Sequence, residues 1–313
     1  MTGRASGLLL GVAADALLGD PRRHHPVAGF GALAVAAERR GWTDDRVAGT
    51  RHALVLVGGV VGGGAVLERL VRDRPLARTL VTGASTWAVL GGTSLAREGA
   101  LMADELEARD LDAARRRLPS LCGRDPSSLD TDGLARAALE SVAENTADAV
   151  VGPLVWGAVA GVPGLLGYRA VNTLDAMIGH RSPRYERFGW ASAQADDVAN
   201  VVPARVAASL ACLLAPAVSG RARDGIRAWR RGAPAHPSPN AGPVEASFAG
   251  ALGLRIGGRT VYPYGVQDRP VLGDGRRPGV ADLPRAVRLS RAVALGSAAL
   301  AVGVASVLGQ RRP

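Results

Sequence analysis

The chain has no lysine, two cysteines and few aromatic residues, and each shortage excludes something. All 38 of its basic side chains are arginine, which set against 28 acidic residues leaves a formal net charge of +10. Genomic base composition is a sufficient explanation for the arginine-only usage. A basic balance can mark nucleic acid, anionic lipid or phosphorylated substrates as partners. The arginines are scattered, no basic tract alternates with aromatics, and no zinc-finger or RNP-like pattern is present, so no nucleic-acid partner is expected. Cys122 and Cys212 lie too far apart in sequence to suggest a metal ligand pair, and two cysteines do not make a disulfide framework. A Walker A loop, a dinucleotide fingerprint, HExxH and a nucleophile elbow are all missing. Any ATP site would therefore be of another design. The N-terminal apolar stretch is interrupted by Asp15 and reads poorly as a cleaved signal peptide.

Apolar residues make up 47% of the 313 positions, with 41 glycines and 19 prolines among the whole, so helices should be close-packed, broken or short. A spanning helix needs roughly 20 mostly apolar residues. Three stretches meet this: 79–96 between Arg78 and Arg97, 149–168 between Asp148 and Arg169, and 292–310 between Arg291 and Arg311. Two shorter ones, 53–67 and 206–220, need tilt or snorkelling arginines. Small residues dominate, as in GGVVGGGA at 58–65, which suits backbone-to-backbone packing in lipid better than a soluble core. The expected fold is all-α: a polytopic integral membrane protein, one domain over 1–313, with four to five membrane segments. Polar segments at 97–148 and 169–205 would carry chemistry, and 221–291 would form an extramembrane loop region.

If 149–168 crossed fully, those two polar segments would face opposite sides. Segment 169–205 carries Arg169, Arg181, Arg184, Arg187 and Arg205, which argues for cytoplasmic retention. Gly152, Pro153, Gly157, Gly161, Pro163 and Gly164 make 149–168 easy to break. A re-entrant or discontinuous element lining a protein cavity is the expectation.

Several polar blocks could carry chemistry. Arg136, Glu140, Glu144 and Asp148 recur every four residues and so share a helix face. Three like charges at that spacing are unfavourable unless neutralised. The row is either a solvated face helped by Arg136 or a place where Glu144 and Asp148 hold Mg²⁺, with Asn145 beside them. Asn172 and Asp175 share a side of the next helix, and in ASAQADDVANVVPAR at 191–205 Asp196 and Asp197 lie one turn before Asn200. Near the N-terminus, Asp20, Arg22, Arg23 and His25 form either a phosphate or carboxylate clamp or a turn set by Pro21 and Pro26. At 236–253, Ser238 and Asn240 precede Gly242–Pro243 and an Ala-rich helix pattern opened by Glu245, a helix start able to bind an anion.

In this order, GDPRRHHPVAGFG, ESVAENTADAVVGPLVWGAVAGVPGLLGYRAVNTLDAMIGH, YERFGWASAQADDVANVVPAR and HPSPNAGPVEASFAGALGLRIGG resemble the adenosylcobinamide-phosphate synthase family of cobalamin (vitamin B12) biosynthesis, also called CobD/CbiB. The resemblance implies an amide-forming ligase that joins a propionate carboxylate of adenosylcobyric acid to aminopropanol, or to its O-phosphate, giving adenosylcobinamide phosphate. It also implies ATP as co-substrate and Mg²⁺, a multi-pass position in the cell (inner) membrane, an active site facing the cytoplasm, and later nucleotide-loop assembly enzymes as partners. On that reading Glu144, Asp148, Asp175, Asp196 and Asp197 are metal ligands. Asp20, Arg22, Arg169, Arg205, Ser238 and Asn240 bind substrate or phosphate, while His25, Asn145 and Asn172 are catalytic, His25 as the base that deprotonates the incoming ammonium. A transporter would also explain broken helices, but it predicts an internal repeat, which is absent. A non-catalytic membrane regulator predicts loss of the acidic blocks, and all are kept.

Overall fold

The computed structural model describes residues 3–20, 25–180, 182–262 and 265–310. In chain order the helices are α1 (Gly3–Leu18), α2 (Pro26–Gly41), α3 (Arg46–Leu70), α4 (Pro75–Val89), α5 (Gly92–Glu107), α6 (Leu111–Arg117) and α7 (Thr131–Thr146). They continue with α8 (Gly152–Ile178), α9 (Trp190–Leu213), α10 (Ala222–Gly232) and α11 (Ala241–Leu252). An antiparallel hairpin, β1 (Ile256–Tyr262) and β2 (Gly265–Leu272), precedes the last helix, α12 (Leu283–Gln310). The protein is thus helical and polytopic, with one small two-stranded addition.

Among the described residues three helical runs are long and apolar enough to cross a bilayer: Arg46–Leu70, Thr131–Ile178 and Val280–Gln310. At 1.5 Å per residue, the 25 residues of α3 reach about 38 Å, more than the roughly 30 Å of a hydrocarbon core. Val47, Leu54, Val55 and Val66 stay exposed along it, as a lipid-facing helix requires. The stretch 53–67, short by charge spacing alone, is therefore the centre of a full-length helix. The stretch 79–96 is not one helix. Leu90 turns to extended geometry before the Gly91–Gly92 pair, ending α4 at Val89 and restarting at α5. The stretch 206–220 does not continue either, because α9 stops at Leu213 and Pro216 lies in a short 3₁₀ turn.

The chain forms two compact units. Unit 1 takes residues 1–91, 152–200 and 298–313; unit 2 takes 92–151 and 201–297. In unit 1, α1 lies against α4 through glycine. A Cβ at Gly7 or Gly11 would fall on Thr82 or Thr86 of α4, so only hydrogen allows this approach. The α3 and α8 helices pack alongside in the same unit, where Gly64 meets Pro163.

Helix α8 is broken inside, as its glycine and proline content predicts. Gly161 has φ +69° and ψ −146°, and Pro163 follows. The break frees carbonyls before it and an N–H after it. Arg4 donates to Val159 O at 3.1 Å and Ala158 O at 3.4 Å, while Glu68 Oε2 accepts from the Val162 N–H at 3.2 Å. The two side chains pair with each other at 2.9 Å, and both are largely buried. Cation meets helix C-terminus and anion meets helix N-terminus, the favourable sense of both half-dipoles.

In unit 2, α11 is buried along all twelve residues, enclosed by α7, α10 and the hairpin. The segment 221–291 is therefore largely ordered into α10, α11 and the hairpin. A π-helical turn over Ala147–Val151, holding Asp148, follows α7.

Replacing Glu68 by alanine leaves Arg4 buried without its counter-charge and the Val162 N–H without its acceptor. We expect a loss of about 3–5 kcal/mol of stability, the range for removing one partner of a buried pair. Unfolding of detergent-solubilised protein measures it, and a change below about 1 kcal/mol would show that the pair does not hold the break.

Candidate functional site

The expected site residues fall in both units. Unit 1 holds Asp20, His25, Arg169, Asn172, Asp175, Asp196 and Asp197; unit 2 holds Glu144, Asn145, Asp148, Arg205, Ser238 and Asn240. Arg22, Arg23 and Arg181 lie outside the described residues.

Within unit 1 the NTLD and DDVAN blocks meet. Asp196 accepts from Asn172 Nδ2 at 3.3 Å through Oδ1 and from Asn200 Nδ2 at 3.0 Å through Oδ2. Tyr168 Oη donates to Asn200 Oδ1 at 2.7 Å, and Asn200 is buried. The spacing of these residues along α8 and α9 is what brings them together: each sits one turn from the next on its own helix. Asp196 is the hub of this network. Asp175 lies a turn beyond Asn172 on α8, and Asp197 is half-buried on α9. His25 caps α2, its Nδ1 accepting from the Val27 N–H at 3.2 Å. A base role at that nitrogen would require the cap to be released.

Unit 2 contains a denser polar cluster. Glu140, on the row of α7, is fully buried. Its Oε2 pairs with buried Arg124, and its Oε1 accepts from the Gly257 N–H at 2.7 Å. Arg136, one turn earlier, donates to Gly257 O at 2.6 Å and Arg259 O at 3.0 Å, so the same row grips the hairpin twice. Asn145 donates to Ser141 O and Oγ, each at 3.0 Å.

On α11, Glu245 is also buried; Arg269 of β2 approaches its Oε1 at 3.3 Å. His236 Nε2 lies 3.9 Å from Glu245 Oε2, and neither atom has a hydrogen-bond partner among the described residues. His236 Nδ1 lies 3.1 Å from both the N–H and the carbonyl oxygen of Ser238, so it accepts from the one or donates to the other according to the ring tautomer. Burial pushes the Glu245 carboxyl well above the ordinary carboxylate range, and the Glu144 and Glu140 carboxylates push it further, against the pull of Arg269 and Arg124. Burial likewise lowers His236.

Ser238 Oγ accepts from the N–H groups of Asn240 and Ala241 at the start of α11. Arg205 reaches Asn240 Oδ1 at 2.7 Å. Arg205, Ser238 and Asn240 are therefore neighbours, joined by His236, with which Arg205 lines a surface cavity of about 440 Å³. Among the described residues no three His, Cys, Asp or Glu side chains converge on one metal position.

A family model described as CobD/Cbib protein matches residues 8–290, nearly the whole chain. The chain belongs to the CobD/CbiB family. Its relatives include proteins named cobalamin biosynthesis protein CobD. The one from Mycobacterium tuberculosis is 58% identical over 99% of this chain and 97% of its own length. Those of Rhodobacter capsulatus and Geobacter metallireducens are each 41% identical, covering 97% and 89% of this chain and 98% and 89% of their own. No solved structure matches.

Family membership places the matched region over both polar clusters. Sequence reasoning marked Glu140 only as part of a row and Glu245 only as a helix start, and it passed over Arg124, His236 and Arg269. The usable signal was a carboxylate in each of two Ala-rich patterns, where a buried charge demands a partner.

Because the folded protein holds a proton on Glu245 that the unfolded chain releases, this group makes stability fall as pH rises from the ordinary carboxylate range toward its raised folded value. Below that range it is protonated in both states and contributes nothing. Glu245→Gln removes the slope. The melting temperature of the variant relative to the parent should therefore rise from pH 5 to pH 8, and a difference independent of pH would show that Glu245 is ionised in the fold.

Proposed function

We propose that this CobD/CbiB family member is an adenosylcobinamide-phosphate synthase, forming the amide between adenosylcobyric acid and aminopropanol or its O-phosphate at the expense of ATP. The observation that carries the reading is the family match over residues 8–290, supported by buried carboxylates and arginines within that span. The cell (inner) membrane, with the site toward the cytoplasm, is the proposed location. Later enzymes of nucleotide-loop assembly are proposed neighbours.

A carboxylate does not condense with an amine in water, so it has to be activated. A propionate oxygen attacks the γ-phosphorus of ATP and ADP leaves, giving an acyl phosphate. The amine nitrogen then attacks the acyl carbon; inorganic phosphate leaves with the bonding pair, and the ammonium proton passes to a base. Mg²⁺ supplies charge neutralisation at the phosphates, and a Mg²⁺ carried by phosphates needs only one or two protein carboxylates. Glu144 and Asp148, one turn apart, are the proposed ligands in unit 2; Asp175, Asp196 and Asp197 are those in unit 1. Arg169 and Arg205 are proposed to hold phosphate or carboxylate groups, with Asp20, Ser238 and Asn240 as further substrate contacts. Asn145 and Asn172 supply amide donors, and His25 is the proposed base.

The test is a reaction of detergent-purified protein with adenosylcobyric acid, aminopropanol phosphate, ATP and Mg²⁺, read by mass spectrometry. Amide product that requires both ATP and Mg²⁺ is expected. Asp175→Ala and Asp197→Ala should each lower kcat at least about 100-fold, the scale of losing one preorganised charge at a transition state. Well-folded protein that binds corrinoid but makes no amide would overturn the ligase reading; unchanged kcat in both variants would remove those two carboxylates from the chemistry.

A further inference from the structure

Unit 2 contains a cavity of about 510 Å³, within the range of small-molecule sites, and four arginines line it: Arg136, Arg255, Arg259 and Arg277. They come from α7, from the entry to β1, from β1 itself and from the turn after β2. Main-chain bonds set their places. The Arg255 N–H donates to Arg276 O at 2.8 Å, which lays the 276–277 segment beside 254–255. Arg136 holds the carbonyls of Gly257 and Arg259.

The charge of these four is not spent on ion pairs. Neighbouring arginines are paired: Arg124 with Glu140, Arg269 with Glu245, Arg276 with Asp282. Among the described residues the four cavity arginines pair with no carboxylate. Two acids share the wall, Asp130 and Asp132, and Asp130 accepts from the Gly133 N–H at 2.8 Å as the cap of α7. The lining keeps a formal charge of about +2 by simple count.

The hairpin backbone keeps the cavity open. Gly257 and Gly258 take φ +89° and +86° at the bulge of β1, a conformation that glycine alone adopts without strain. A Cβ at Gly258 would lie 3.5 Å from the Arg136 guanidinium, so a larger side chain would cover the charge.

We propose that this cavity is the polyphosphate subsite, taking the triphosphate of a nucleoside triphosphate. Guanidinium groups pair with phosphate oxygens through forked donors, and four of them exceed what one phosphate monoester needs. The proposal rests on the ligase reading for its role and names where the phosphoryl donor would sit. It also explains how ATP could be held without a Walker loop.

The experiment uses the full chain in detergent, with Arg259→Ser/Arg277→Ser as the variant. Both side chains are exposed, and among the described residues neither guanidinium holds backbone. Binding of inorganic tripolyphosphate is measured by calorimetry, and KM is measured separately for ATP and for aminopropanol phosphate. We expect tripolyphosphate affinity to fall at least tenfold and KM for ATP to rise by a similar factor, with KM for the amine within twofold. Arg231→Ser, at an arginine outside the cavity, should change none of these. Unchanged tripolyphosphate binding overturns the proposal, as does a rise in KM for the amine alone. If the parent protein makes no amide, the ligase reading fails by itself, and the tripolyphosphate measurement still decides whether the cavity binds polyphosphate.

Discussion

A helix that breaks inside an apolar bundle has to find partners for the backbone groups it frees, and at Gly161 Arg4 and Glu68 supply them. Water cannot do this within lipid, so the alternatives are an unbroken helix or a dedicated pair. The pair also cancels its own charge at 2.9 Å, so neither member is left buried as a bare ion. Three segments of unit 1 are fixed by it: the start of α1, the end of α3 and the middle of α8. The second half of α8 carries Asn172 and Asp175, so the direction in which it leaves Gly161 sets where those side chains are presented. A structural interaction at the break thus positions a polar network a few turns away.

Unit 2 solves a similar problem with a different outcome. Burying α11 completely puts Glu245 where an ionised carboxylate is costly, and Glu140 and Glu144 add like charge. Arg124 neutralises Glu140 directly, whereas Glu245 is left with a longer approach from Arg269, and burial pushes its carboxyl well above the ordinary carboxylate range. The result is a buried carboxyl 3.9 Å from a buried imidazole, with burial disfavouring charge on both.

The sequence made legible whatever depends on periodicity. Apolar runs between charges located α3, the 131–178 run and α12, and the four-residue recurrence placed Arg136, Glu140, Glu144 and Asp148 on one face. The Gly and Pro content announced the break in α8. Pairings between distant positions were not legible. Arg4 and Glu68 are 64 residues apart, and Arg124 finds Glu140 across a loop. No local pattern chooses one arginine among 38. The hairpin escaped for a related reason: its strands are short and glycine-rich, with charges in both, so they carry little alternation. The stretch 79–96 misled because freedom from charge says nothing about the conformation of Leu90 and the glycine pair after it.

The four-residue row on α7 shows why a like-charge face can persist in a folded helix. Its members span about 18 Å at 1.5 Å per residue, and each meets a different environment. Arg136 binds two carbonyls of the hairpin, Glu140 binds Arg124 and the Gly257 N–H, Glu144 acts at longer range on the raised carboxyl of Glu245, and Asp148 enters the π turn. The row thus spreads its charges over different surroundings along the helix. The Gly257 peptide joins the first two members of this row, since its N–H goes to Glu140 and its carbonyl to Arg136 beside the arginine-lined cavity. One helix face therefore runs from an arginine at the cavity wall, through a buried ion pair, to two further carboxylates, so its charges are kept apart by their surroundings more than by their spacing.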